Sequence, residues 1–124
     1  MSDRTYNLAI VDDASEIIEM LSKTLSRNKK YNISTYTNPL TAIDNIDSKI
    51  DVVFLDIVMP QLDGLEALEK IINKNPEIKV IMMTASSTLD RVLKAHKYGA
   101  THYIMKPFDS MQNIEKKLEL VLGI

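Results

Sequence analysis

The chain has no cysteine, only three glycines among its 124 residues, and no strong excess of either charge. Without thiols there can be no disulfide and no thiolate metal site, and the composition fits a reducing compartment. No apolar stretch approaches the roughly 18 residues of a membrane span, and Met1 to Tyr6 lack the apolar segment of a targeting signal. Fifteen basic against seventeen acidic residues leave a net charge of −2. The longest basic block is Lys29-Lys30 with Arg27 nearby, which reads as a solvated helix end, so there is no electrostatic footprint for nucleic acid or an anionic membrane. Glycine is also missing where a phosphate-cradling loop would need it. Asp12-Asp13-Ala14-Ser15 stands after the first apolar run, with the wrong charge for a nucleotide or flavin site. The expectation is a soluble cytoplasmic domain.

What is present is 45% hydrophobic residues, enough for one domain over 1–124 to bury roughly two-thirds of its unfolded surface. Five short runs alternate with helical patterns and no linker intervenes. The runs are Leu8 to Val11, Tyr31 to Tyr36, Val52 to Leu55, Val80 to Met83, and Tyr103 to Met105. Three of these, the first, third and fourth, are apolar throughout and suit central strands covered on both faces, whereas the mixed Tyr31 to Tyr36 run suits an edge. Apolar stripes at helical spacing follow at Ile17, Ile18, Leu21 and Leu25, at Leu65, Leu68, Ile71 and Ile72, and at Met111, Ile114, Leu118, Val121 and Leu122. Asn38-Pro39 suits the start of the second helix, Gly64 opens the third and Asn75-Pro76 closes it. Ser86, Ser87 and Thr88 offer caps for the fourth, and Gly99 suits its left-handed end. The pattern predicts an α/β, doubly wound, flavodoxin-like (βα)5 fold, with a five-stranded parallel sheet of order 2-1-3-4-5 and helices on both faces.

In such a sheet the carboxyl ends of all strands open on one edge. Asp12 and Asp13, Asp56, Thr84 and Lys106 each fall at or just past one of those ends. Two carboxylates about 5 Å apart repel by about 3 kcal/mol at an effective dielectric near 20, so three of them call for a cation. One lysine cannot satisfy them all. Oxygen ligands with room for water favour Mg²⁺, or Mn²⁺, over Zn²⁺. A carboxylate can attack phosphorus to give an aspartyl phosphate, and Asp56, alone at the end of the most apolar strand, is the best placed to do so. Thr84 could donate to one phosphoryl oxygen and Lys106 pair with another.

At this point the residues resemble a known family. The segments Ile10-Val11-Asp12-Asp13, Leu55-Asp56-Ile57-Val58-Met59-Pro60 with Asp63-Gly64, Met83-Thr84-Ala85, Gly99-Ala100, and Tyr103-Ile104-Met105-Lys106-Pro107-Phe108 are similar to the receiver domain of bacterial two-component response regulators, of the single-domain, chemotaxis-regulator type. The resemblance implies that Asp56 accepts phosphate from a sensor histidine kinase or phosphotransfer protein. It implies direct Mg²⁺ ligands in Asp13, Asp56 and the Val58 backbone carbonyl, with Asp12 acting through a water. It implies a Lys106 that bridges to the phosphoryl group, a cis Lys106-Pro107 bond, and a switch made of Thr84 and Tyr103. In that switch the hydroxyl moves toward the phosphate and the ring turns inward, remodelling the face of helix four, strand five and helix five for a downstream effector or output domain. The chain would then be no enzyme beyond self-catalysed phosphotransfer and dephosphorylation.

Other readings remain beside this one. A degenerate receiver would act by protein contacts alone, although none of the expected acids is missing. A multiple-turnover phosphatase usually has a second acid two residues after its nucleophile, where Val58 stands. The resemblance also implies that Val58 and Ser86 stand where side chains influence how water reaches the acyl phosphate, and valine cannot orient water by hydrogen bonding. Met20, Met82, Met83, Met105 and Met111 read as core filler, and His96 and His102 as surface residues. The expected state is a monomer before phosphorylation, with a dimer through the helix four, strand five and helix five face as a further state. The chain is either complete or part of a longer regulator.

Overall fold

The computed structural model describes residues 4–85, 89–108 and 110–124. Within them β1 (Tyr6–Val11), α1 (Ser15–Leu25), β2 (Tyr31–Tyr36), α2 (Pro39–Asn45), β3 (Val52–Asp56), α3 (Gly64–Lys74), β4 (Lys79–Ala85), α4 (Leu89–Lys97), β5 (His102–Lys106) and α5 (Met111–Leu122) follow in order. All strand pairs are parallel, and the sheet order is β2-β1-β3-β4-β5. This is the doubly wound fold expected from the alternation of runs.

Each strand is one or more residues longer than its apolar run, except β2. The ladder is made by backbone groups, so it continues through polar residues as long as a partner strand is in register. Asp56 pairs with Met83 and Ala85 with Lys106. The chemically interesting side chains therefore stand on the last rungs of the sheet, held by its hydrogen bonds.

Within the apolar strands the side chains still alternate between two cores. Ala9, Val11, Val53, Leu55, Val80 and Met82 face one layer, which α2, α3 and α4 cover with Ala42, Leu68, Ile71, Val92 and Ala95. Leu8, Ile10, Val52, Phe54, Ile81 and Met83 face the other, covered by Ile18, Leu21 and Leu25 of α1 and Ile114 and Leu118 of α5. Burial of this kind is worth about 25 cal/mol per Å² of apolar surface and supplies most of the drive to fold.

The helix ends follow the turn chemistry. Asn38 caps α2 by accepting from the Leu40 N–H at 2.9 Å, with Pro39 as first helical residue. Asp63 caps α3 through Leu65 N–H at 2.8 Å. Gly99 has φ of 108°, as its place after α4 requires, and Ser110 caps α5 through the Asn113 N–H at 3.0 Å. The proposed caps Ser86, Ser87 and Thr88 lie outside the described residues.

Two methionines depart from expectation. Met82 and Met83 are fully buried, but Met20 and Met105 are each 39% exposed. Met20 lies on the flank of α1, off the Ile18-Leu21-Leu25 stripe. Met105 is on β5, an edge strand of the sheet.

Candidate functional site

Four strand ends build the site. After β1, the Asp12 N–H continues the ladder to the Tyr36 carbonyl at 3.1 Å, and its side chain is completely buried. Asp12 Oδ1 accepts from the Ala14 N–H at 2.9 Å, and Oδ2 accepts from Lys106 Nζ at 2.6 Å. Both oxygens are thus engaged. Asp13, the next residue, is exposed at the mouth of the cleft.

Asp56 closes β3 and is 6% exposed. Its Oδ1 lies 3.3 Å from Lys106 Nζ, so a single ammonium, reaching from the end of β5, ties Asp12 to Asp56. Burial pushes the Asp56 carboxyl up to about 6, with the charge of Asp12 adding to the effect and Lys106 pulling against it. Burial opposes the charge on Lys106, yet the Asp12 hydrogen bond and the two carboxylates hold its pKa above the ordinary lysine value. At neutral pH the pair is charged.

One carboxylate oxygen from each of Asp12, Asp13 and Asp56 lies within 4.8 Å of the others, the one such acidic or histidine group among the described residues. A set of hard oxygen donors, with Asp13 open to water, fits Mg²⁺ and offers nothing to a thiophilic metal. Lys106 balances one charge of three. The remaining negative charge is what a divalent cation would neutralise.

The loop after Asp56 is tightly held. Ile57 N–H donates to the Met83 carbonyl at 3.1 Å, and Gly64 N–H returns to the Ile57 carbonyl at 2.8 Å. A Cβ on Gly64 would fall 2.4 Å from the Asp56 carbonyl oxygen and 2.5 Å from Ile57 Cα, so only glycine allows α3 to start this close to Asp56. From sequence Gly64 reads only as a helix opener. Its steric role becomes visible once the loop folds back. Asp63 also pairs with Arg91 of α4, a link between the two helices beside the cleft that no sequence spacing announces. Val58, in the same loop, is 59% exposed.

Thr84 stands one residue past the Met83 that pairs with Asp56, is 1% exposed, and donates its hydroxyl to the Ala85 carbonyl at 3.0 Å. Tyr103 is set apart from the acidic cluster. It pairs with Met82, and its ring is outward and 36% exposed. The Lys106-Pro107 bond is cis. His96 is exposed and His102 half-buried, and neither joins the acidic group.

Fold and site together define a doubly wound α/β domain with an acid-lined, lysine-bridged cleft at the carboxyl edge of its sheet. The family model described as the response regulator receiver domain matches residues 8–119, and the chain belongs to that family. It is therefore a receiver of two-component signalling, a switch rather than a conventional enzyme. It is 39% identical over 109 residues to the chemotaxis protein CheY of Listeria monocytogenes, covering 87% of this chain and 92% of that one. It is 36% identical to the transcriptional regulatory protein ZraR of Klebsiella oxytoca over 99% of this chain, but spans only 27% of that protein's length. Among solved structures, the BeF3-activated DrrB receiver domain superposes with a TM-score of 0.86 at 27% identity, over 97% of this chain and 99% of that one. No helix among the described residues is long and apolar enough to cross a membrane.

Proposed function

We propose that residues 1–124 act as one receiver unit whose Asp56 accepts a phosphoryl group from a sensor histidine kinase or phosphotransfer protein. The observation that carries this reading is the convergence of Asp12, Asp13 and Asp56 around one point, with Lys106 bridging Asp12 and Asp56. With its pKa near 6, Asp56 is ionised at neutral pH and able to attack. One of its oxygens forms the new bond to phosphorus while the bond from phosphorus to the donor nitrogen breaks, leaving an acyl phosphate on the protein. Asp13, Asp56 and the Val58 carbonyl would hold Mg²⁺ or Mn²⁺, with Asp12, each of whose oxygens already accepts one bond from Ala14 or Lys106, acting through water. When bound, the ion would neutralise charge on the transferred group.

Lys106 then exchanges its contact with Asp56 for a phosphoryl oxygen. Thr84 turns its hydroxyl from the Ala85 carbonyl to another. The added charge of about −1.5 to −2 biases two nearly balanced arrangements, and Tyr103 follows by turning inward. The readout is the α4, β5 and α5 face, offered to an effector or output domain, with the domain monomeric before phosphorylation.

Intact mass after incubation with acetyl phosphate and Mg²⁺ tests the reading. A gain of about 80 Da that vanishes with EDTA and in Asp56→Ala supports it. No adduct with either acetyl phosphate or a phosphorylated kinase would refute Asp56 as acceptor.

A further inference from the structure

Tyr103 is held from outside the sheet by one residue at two points. In a parallel edge strand, alternate residues point their backbone groups away from the neighbouring strand. Tyr103 is such a residue in β5. Its N–H donates to His102 Nδ1 at 3.0 Å, and its carbonyl accepts from Lys117 Nζ, midway along α5, at 2.7 Å. At Tyr103 the outward backbone groups are thereby unavailable to another strand.

The same ammonium sits 5.2 Å from the centroid of the Tyr103 ring. The carbonyl fixes where the charge stands, and the charge then attracts the face of the ring when the ring is outward. On the other side of Tyr103, a hollow of about 230 Å³ between α4 and β5 is lined by Met82, Val92, Leu93 and His96 as well as by Tyr103 itself. The ring therefore has two places to go, and only the outward one keeps the cation.

We propose that Lys117 is a positioning residue that holds the Tyr103 ring outward in the unphosphorylated domain, and so sets the resting balance of the switch. The hold on the ring stands on this geometry. Its link to phosphorylation rests on the function proposed above. If inward Tyr103 favours phospho-Asp56, reciprocity requires that releasing the ring also favours phosphorylation.

The test uses the full chain with ring-labelled tyrosine, unphosphorylated, with the Tyr103 signal assigned through Tyr103→Leu. Accessibility of the ring to a soluble paramagnetic probe is compared in wild type, Lys117→Met and Lys117→Arg. Lys117→Met keeps the aliphatic stem and removes the charge; a cation–π contact of this exposed kind predicts a roughly two- to fivefold shift of the ring toward the hollow. Lys117→Arg, which restores both a donor and a cation, should match wild type. Unchanged accessibility in Lys117→Met, or an Arg variant that behaves like Met, overturns the proposal.

A second readout is the rate of adduct formation with acetyl phosphate. If the inward form is the reactive one, the rate follows the inward fraction, so it should rise in Lys117→Met by at most the same factor, and Lys117→Met should add nothing in a Tyr103→Leu background. An equal rise in that background would mean that Lys117 acts by another route, which also overturns the proposal. If wild type itself forms no adduct, the function reading fails, while ring accessibility still decides the role of Lys117.

Discussion

Replacing Asp56 by asparagine should stabilise the metal-free protein at neutral pH while abolishing its proposed chemistry. The carboxyl is raised from 3.8 to about 6, chiefly by burial and then by Asp12. At about 1.4 kcal/mol per tenfold change in proton affinity, ionised Asp56 costs the fold about 3 kcal/mol once the pH is well above 6. Because the folded value lies above the unfolded one, the group's favourable contribution is complete below pH 3.8 and is lost as the pH rises through about 6. Asparagine keeps the shape and removes the charge, leaving Lys106 paired with Asp12. Asp56→Asn should therefore gain about 1–3 kcal/mol over wild type at pH 7.5 in EDTA, with the gap closing between pH 6.5 and 4. Urea unfolding at a series of pH values, read as the difference between the two proteins, measures this directly, since carboxylates common to both largely cancel. A gap that is constant with pH, or a variant less stable than wild type at pH 7.5, would show that the site does not strain against its own charge.

Three further outcomes follow from the same geometry. Millimolar Mg²⁺ should raise the melting temperature of wild type by mass action on the folded state, and Asp13→Ala should remove most of that dependence; an equal Mg²⁺ shift in both would take Asp13 off the ligand list. Gly64→Ala should destabilise by about 2–4 kcal/mol in urea, because the new methyl meets backbone at 2.4 Å and no flexible side chain can give way; a loss below 0.5 kcal/mol would mean that the loop after Asp56 is readily displaced. Val58→Asn should shorten the lifetime of the phosphorylated form, since an amide at this exposed position can orient water where valine cannot; decay that is unchanged or slower refutes that role.

The fold was legible because β1, β3 and β4 are short apolar runs separated by helical stripes, a pattern that few architectures other than a parallel sheet with two helical layers can satisfy. The acidic residues were legible for the same reason, each coming directly after such a run. Less could be read where a contact depends on two distant backbones. The steric demand on Gly64, the Arg91–Asp63 pair and the hold of Lys117 on Tyr103 have no spacing signature. Nor does composition separate Met105 from Met82. Both lie in strands, and only the edge position of β5 leaves Met105 exposed.

Local sequence, then, determined which segments become strands and helices and which carboxylates stand at strand ends, because side-chain periodicity and turn chemistry act over a few residues. Tertiary structure decided that one lysine bridges Asp12 and Asp56 and that the Asp56 carboxyl is raised to about 6. It also decided that Tyr103 rests outward under Lys117. Those properties depend on charge separation, burial and the meeting of groups from different strands and helices, and these exist only after the chain has closed on itself.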